Sequence, residues 1–398
     1  MPIIHRVITL VTFVVLLTAS TLVAQNDTAV MLDGSRVSQN VKSIADGKVT
    51  FDGDAPPVDV QGLRRIERAI EPTASEATAR VHLLAGGMLR ATTVTMNDET
   101  CQINWLYGQL KLPIEAVRGI RLSDESDIKK LPAGHDTFTA DLSAPPSDKD
   151  RLFVTVENKV QSLPGIFADL SAEKVKFTFE NQDRELERTR VLGMTLAGGG
   201  KKPDLTGMTM IHLADGSSLW ATISTMDNGS TTLKLASGVE LKLPWASIAR
   251  IDVRSDRLTF LSDLEPTDVE EKAIAYVGSW QKDRSVRGKS LTIKGKTFDK
   301  GIGVHATSRL TFTIDPKFNI FAATLGIDDM TKGKGDCEFV ILADGKELLR
   351  KRIKGSDQPQ EVRVNLGSAK KLTLAVEAGE DLDFADHGNW GDARLIRE

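Results

Sequence analysis

Residues 81–92, VHLLAGGMLRAT, align without a gap on residues 211–222, IHLADGSSLWAT, and this self-similarity constrains the fold of the 398-residue chain more than any other feature. About twenty residues after each copy comes the same closing phrase, LKLPIEAVRGI at 110–120 and LKLPWASIARI at 241–251. A pattern that recurs after about 130 residues implies one supersecondary unit built twice. Within each copy apolar and polar residues alternate. Val81, Leu83 and Leu89 share one face, and Ile211, Leu213 and Leu219 are their partners in the second copy. Alternation with period two, punctuated by glycine turns, predicts half-buried strands rather than helices.

Two weaker units extend the pattern. ADGKVTFDGDAPPVDVQGLRRI (45–66) resembles the closing half of a unit, and SAEKVKFTFENQDREL (171–186) looks like its counterpart one period later. Residues 28–260 thus read as four small β units of roughly 45 residues, arranged as a duplicated pair and sized for five-stranded barrels of the SH3 or Sm sort. Pro113 and Pro244 mark strand ends, because proline removes a ladder donor. His82 and His212 fall on the face opposite the apolar one. A repeated histidine invites a metal pair, but two strand residues copied by duplication explain it more simply. AGGGKKPDLTG (197–207) lacks the spacing of a phosphate loop and reads as a connector, as does SAPPSD (143–148). The expected division is a leader at 1–25, units one and two at 26–130, units three and four at 131–261, and a separate domain at 262–398.

From about Trp280 the strands lengthen. SRLTFTID (308–315) alternates, with Leu310, Phe312 and Ile314 on one face; IFAATLGIDD (320–329) follows, and CEFVILADGKELLRKRI (337–353) holds an Asp344-Gly345 hairpin. EVRVNL and KLTLAV add two more. Seven or eight such strands in about 120 residues predict a jelly-roll β-sandwich, so the chain reads as all-β throughout. Four phrases in order, GKSLTIKGKTFDKGIGVHATSRLTFTI, LGIDD, FVILADGKEL and DHGNWGDARL, resemble the NPCBM/NEW2 family of carbohydrate-binding modules. The markers are KGIGVHA (300–306), GIDD (326–329) and NWGDARL (389–395). The resemblance covers roughly residues 262–397 and does not reach the repeats. It implies a galactose-binding-like sandwich and recognition of a sugar.

Sugar binding asks for a flat aromatic against the C–H face of the ring and planar polar groups against its hydroxyls. Trp390 is the candidate for the first, with Asp386, Asn389 and Asp392 for the second. His305 and Asp329, beside Asp328, are expected at the same end of the sandwich. Each has a plain structural alternative: Trp390 filling the core, His305 satisfied within its apolar strand, Asp392 capping a loop or pairing with Arg394, and Asp328 and Asp329 closing a turn. The acidic run EDLDFADHGNW (380–390) brings Glu380, Asp381, Asp383 and Asp386 together, and Asp383 with Asp386 forms the candidate Ca²⁺ pair, against a solvated acidic loop.

Export is read from the first 25 residues. His5 and Arg6 precede the apolar run Val7 to Leu17, and a small, polar stretch ends at Ala24. That order reads as a secretory signal peptide, against an uncleaved N-terminal anchor over Val7 to Ala24, and predicts a mature chain outside the cell or in the periplasm, with no later stretch of membrane-spanning length. A formal net charge of −4 argues against nucleic acid as a partner. Cys101 and Cys337, the two cysteines, read as buried thiols. No serine, cysteine or metallohydrolase motif is present. The expectation is a non-catalytic protein binding a carbohydrate or polysaccharide. The alternatives are an envelope scaffold that binds proteins through its β units and, third, a glycan-processing enzyme.

Overall fold

The computed structural model describes residues 26–122, 132–197, 203–227, 229–272, 279–380 and 383–398. The expected leader at 1–25 and Asp381 lie outside them. Strands Ala79–Leu83, Gly87–Met96, Thr100–Trp105 and Gly108–Pro113 form an antiparallel meander; a 3-10 turn at Ile114–Ala116 follows, and Val117–Arg121 returns to pair with Ala79–Leu83. The same order recurs from Thr209–Leu213 to Ile248–Val253 and from Asp150–Val156 to Val191–Thr195. In the first two runs the fourth strand ends at Pro113 or Pro244, where the missing N–H stops the ladder. Among the described residues no ladder joins the fourth strand to the fifth in these three runs, so hydrogen bonding leaves them open there. Their ladders merge, with those of residues 28–67, into one network of 21 strands. Among the described residues, helix Asp136–Ser143 departs from the all-strand expectation; its Phe138 is buried edge-on against Phe153 with ring centroids 5.3 Å apart.

The two copies found in the sequence meet at their glycine turns. Ser218 pairs with Met88 and Leu219 with Gly87, and the Arg90 N–H donates to Ser217 Oγ at 2.9 Å. Position 218 is position 88 displaced by the 130-residue offset, so Ser218 faces its own counterpart and an approximate two-fold axis passes between them. Gly87 is required at this crossing. Its φ is +95°, and a Cβ there would stand 2.5 Å from the Ser218 carbonyl oxygen.

Residues 258–396 form two facing sheets. One orders Gln281–Lys282, Gly301–His305, His387–Ile396, Ile320–Ile327 and Gln360–Asn365, with Leu258–Phe260 also on His387–Ile396; the other orders Asp268–Glu271, Ser308–Thr313, Lys371–Ala378, Asp336–Ala343 and Lys346–Lys354. The Asp344-Gly345 turn joins the last two, with φ of 47° and 82°, as its sequence predicts. Between the sheets, Phe321, Phe339, Leu310, Phe312 and Trp390 build the core. Cys101 and Cys337 sit buried in separate cores, and burial pushes the Cys101 thiol up to about 12.

The sandwich is seated on the N-terminal sheet network. Leu32 packs with Ile320, Ala322 and Ile396. Beside that contact the buried Arg64 pairs with the Asp392 carboxylate, and Arg250 reaches Asp299 at 2.6 Å. Burial would raise the Asp392 carboxyl, but Arg64, Arg65 and Arg394 together hold it below its ordinary value. Burial and Arg64 in turn pull the Arg394 guanidinium down to about 10.

Gly87→Ala meets both the backbone strain and the Ser218 oxygen and should cost at least about 2 kcal/mol. Gly108→Ala, at φ +110° with open space around it, should cost about 1 kcal/mol. Urea unfolding of the two variants measures the difference; equal losses would show that the crossing tolerates a side chain.

Candidate functional site

Strands Gly301–His305 and His387–Ile396 run antiparallel, and their register sets His305 opposite His387, with ring centroids 5.4 Å apart. Three connections converge on this pair: the turn bearing Arg287, the 3-10 turn Asp329–Thr331, and residues 383–385 leading into the last strand. Together they line a cleft of about 330 Å³ whose walls include Arg287, His305, Asp383, Phe384 and His387. Phe384 is 62% exposed and Met330 46%, so the apolar rim is open to solvent, whereas both imidazoles are buried. Burial lowers the His305 imidazole below its ordinary range, with Arg287 adding to this while the Ala306 carbonyl and Asp383 oppose it. Burial, the neighbouring His305 and Arg287 push His387 down to about 4. Both rings are therefore neutral at pH 7, each carrying one donor and one acceptor. An exposed aromatic face, neutral imidazoles, a carboxylate and a guanidinium in one cleft suit a polyhydroxylated ligand.

The structure redistributes the residues expected from the sequence. Trp390 is 1% exposed and packs edge-on against Phe339 and Phe321, with centroids 5.1 and 6.3 Å away. It is a core residue and offers no stacking face, because its strand lies inside a sheet and this side of it faces the partner sheet. Asn389 points the other way and is equally buried. Its Nδ2 donates to Asp328 Oδ2 at 2.7 Å and to the Thr292 carbonyl at 3.2 Å, which ties the strand to the hairpin of Leu291–Ile293 and Lys296–Phe298. Asp329 accepts from the Lys294 and Gly295 amides, both at 2.7 Å, and so closes that hairpin's turn rather than meeting a ligand. Asp392 is committed to Arg64 at the junction.

Asp386 is fully buried, and its Oδ1 accepts the Asp336 N–H at 2.8 Å. Among the described residues no three His, Cys, Asp or Glu side chains gather into a set able to hold a metal. Asp386 serves the backbone and Asp383 lines the cleft. The repeated histidines make no pair either: His212 Nε2 lies 2.9 Å from Asp252 Oδ2, while His82 lies edge-on to Phe138. Of the expected ligand and metal residues, His305 and Asp383 reach the cleft. Arg287, His387 and Phe384 were missed; Phe384, an aromatic isolated within an acidic run, was the legible one.

Residues 257–396 match the NPCBM/NEW2 domain. Among curated proteins, one from Renibacterium salmoninarum, named for endo-alpha-N-acetylgalactosaminidase activity, is 36% identical over 114 residues, 27% of this chain and 7% of its own length. Alpha-1,3-galactosidase B of Akkermansia muciniphila is 38% identical over 120 residues, 29% of this chain and 15% of its own. The chain thus spans a small part of these relatives. Among solved structures, the CBM51 module of a Clostridium perfringens GH95 protein in complex with methyl-galactose is 27% identical, covering 35% of this chain and 99% of that one with a TM-score of 0.32. No helix among the described residues is long and apolar enough to cross a membrane.

Two expectations follow from this geometry. Trp390→Ala empties the middle of the sandwich and should lower its stability by about 3–5 kcal/mol in denaturant unfolding; an unchanged midpoint would contradict the core assignment. Because His387 binds its proton less readily folded than unfolded, its contribution is intact above about pH 6.5 and is lost as pH falls toward the folded value near 4. Unfolding midpoints followed from pH 7 to 4 should therefore fall, and His387→Gln should flatten the slope, leaving the share of His305.

Proposed function

We propose, on the premise that residues 257–396 form an NPCBM/NEW2 domain, that this domain holds a terminal hexose of galactose type in the cleft between His305, His387 and Phe384. The observation that carries the reading is the exposed Phe384 ring on the rim of a cleft whose walls are polar and uncharged imidazole, with one carboxylate and one guanidinium. The ring covers the apolar face of the sugar, Asp383, Arg287 and His387 meet its hydroxyls, and His305, held by the Ala306 carbonyl, backs them in the wall. The carbohydrate-binding character of the domain and the names of its relatives, both concerned with galactose-type sugars, support the choice of hexose.

We further infer a binding rather than a hydrolytic role. A glycosidase of the usual kind needs two carboxyl groups flanking the bond; among the described residues lining the cleft, Asp383 is the one carboxylate. A binding protein with a leader such as residues 1–25 would meet its glycan outside the cytoplasm.

Phe384→Ala should lower retention on a galactose-presenting matrix at least tenfold while leaving circular dichroism and the unfolding midpoint unchanged. Retention of the wild-type chain on no member of a glycan array, or equal retention of the variant, would sink this assignment.

A further inference from the structure

The approximate two-fold axis creates two equivalent corners where the copies touch, and the corners differ. At one, Tyr107 of the first copy reaches the Ala214-Asp215 turn of the second. Its ring packs edge-on against Trp105 with centroids 5.0 Å apart, and its Oη accepts the Asp215 N–H at 3.2 Å. At the other, the Leu84-Ala85 turn of the first copy faces the second. The ladder sets Leu235 opposite Ala221 as it sets Trp105 opposite Ala91, so Leu235 stands for Trp105 and Ser237 for Tyr107. The two aromatic rings are thus replaced by an aliphatic side chain and a hydroxymethyl. What remains is a notch of about 200 Å³, floored by Leu83, Leu84, Leu112 and Pro113 and walled by Trp220 and Leu235. The Ala85 N–H, counterpart of the Asp215 N–H that Tyr107 accepts, meets no acceptor among the described residues.

We propose that this notch binds a tyrosine side chain carried on an exposed turn of a partner protein. The chain supplies the template itself, since it closes the equivalent corner with a phenol ring whose oxygen accepts one main-chain N–H. Size agrees: apolar cavities of about 150 Å³ take up benzene, so about 200 Å³ accommodates one phenol ring. Trp220 offers the aromatic wall that Trp105 offers at the filled corner, its indole lying against Gly86 as Arg90 lies against Gly216 in the other copy. The template tyrosine sits on the tight turn between Thr100–Trp105 and Gly108–Pro113, which argues for a side chain on a turn over a free small aromatic. The notch is built by the N-terminal strands and turns with Pro203 of the connector between the units, and is independent of the sugar reading.

Saturation-transfer NMR on the full chain tests it with three probes: a short hairpin peptide bearing tyrosine at its turn, the same peptide with alanine there, and p-cresol. The tyrosine peptide should show saturable transfer to its ring protons, stronger than p-cresol, and the alanine peptide none. Ser237→Tyr, which copies the filled corner, should weaken binding of the tyrosine peptide at least tenfold without lowering the unfolding midpoint. Trp220→Ala serves as the second variant should Ser237→Tyr fold poorly, and should weaken binding as well. Absence of transfer in the wild-type chain, equal transfer in the folded Ser237→Tyr variant, or p-cresol binding as strongly as the peptide would each overturn the proposal.

Discussion

The sandwich depends on one strand covered on both faces. His387–Ile396 pairs with Gly301–His305 on one side and Ile320–Ile327 on the other, with Leu258–Phe260 joining near its end. Alternate side chains of such a strand have separate destinations. Alternation sends Trp390 to the core between the sheets and Asn389 to the small hairpin behind, while a bulge at Asp392, with φ of 53° and a register shift against Ile320–Ile327, turns that carboxylate to the junction with the N-terminal sheet network. His387, at the strand's first position, is left at the mouth of the cleft. Ten consecutive residues thus hold the interior, the hairpin, the junction and the site in register. The bulge exchanges the two faces for the last residues, so that Ala393 and Leu395 continue the core side that Trp390 begins.

A second constraint governs the N-terminal half. The copies meet through a crossing where backbone approaches backbone, and Gly87 leaves the room. Once the axis is set, equivalent positions have equivalent surroundings, and a change in one copy alone has a local consequence. Tyr107 closes its corner against the Asp215 amide, while Ser237 leaves its own corner open. Duplication relaxes the demand that both corners be filled from within, since the crossing at Gly87 holds the copies together with one corner filled.

Much of the fold was legible. Period-two alternation, Pro113 and Pro244 as strand ends and the Asp344-Gly345 turn are local signals, and each appears where its chemistry requires. The correspondence of 81–92 with 211–222 reappears as the register of Ser218 on Met88. Helix Asp136–Ser143 was not legible, because eight residues with Phe138 as the one buried side chain are held by packing on Phe153 rather than by a helical apolar stripe. The site was half legible. His305 and Asp383 line the proposed cleft, whereas most of the other candidates are held in structural contacts, since a buried Asn, Asp or Trp in a closing strand has the same composition as a ligand-binding one.

From residue order alone came the strand content, the duplication, the turn positions and the kinship of the last third, because these rest on short-range patterning and on phrases that survive translation into sequence. Which face of the closing strand looks outward came from the three-dimensional arrangement, because alternation states that neighbours point in opposite directions without stating what covers each side. That arrangement buried Trp390, diverted Asp392 to Arg64, and drew Arg287, His305 and Phe384 from distant parts of the chain to one opening.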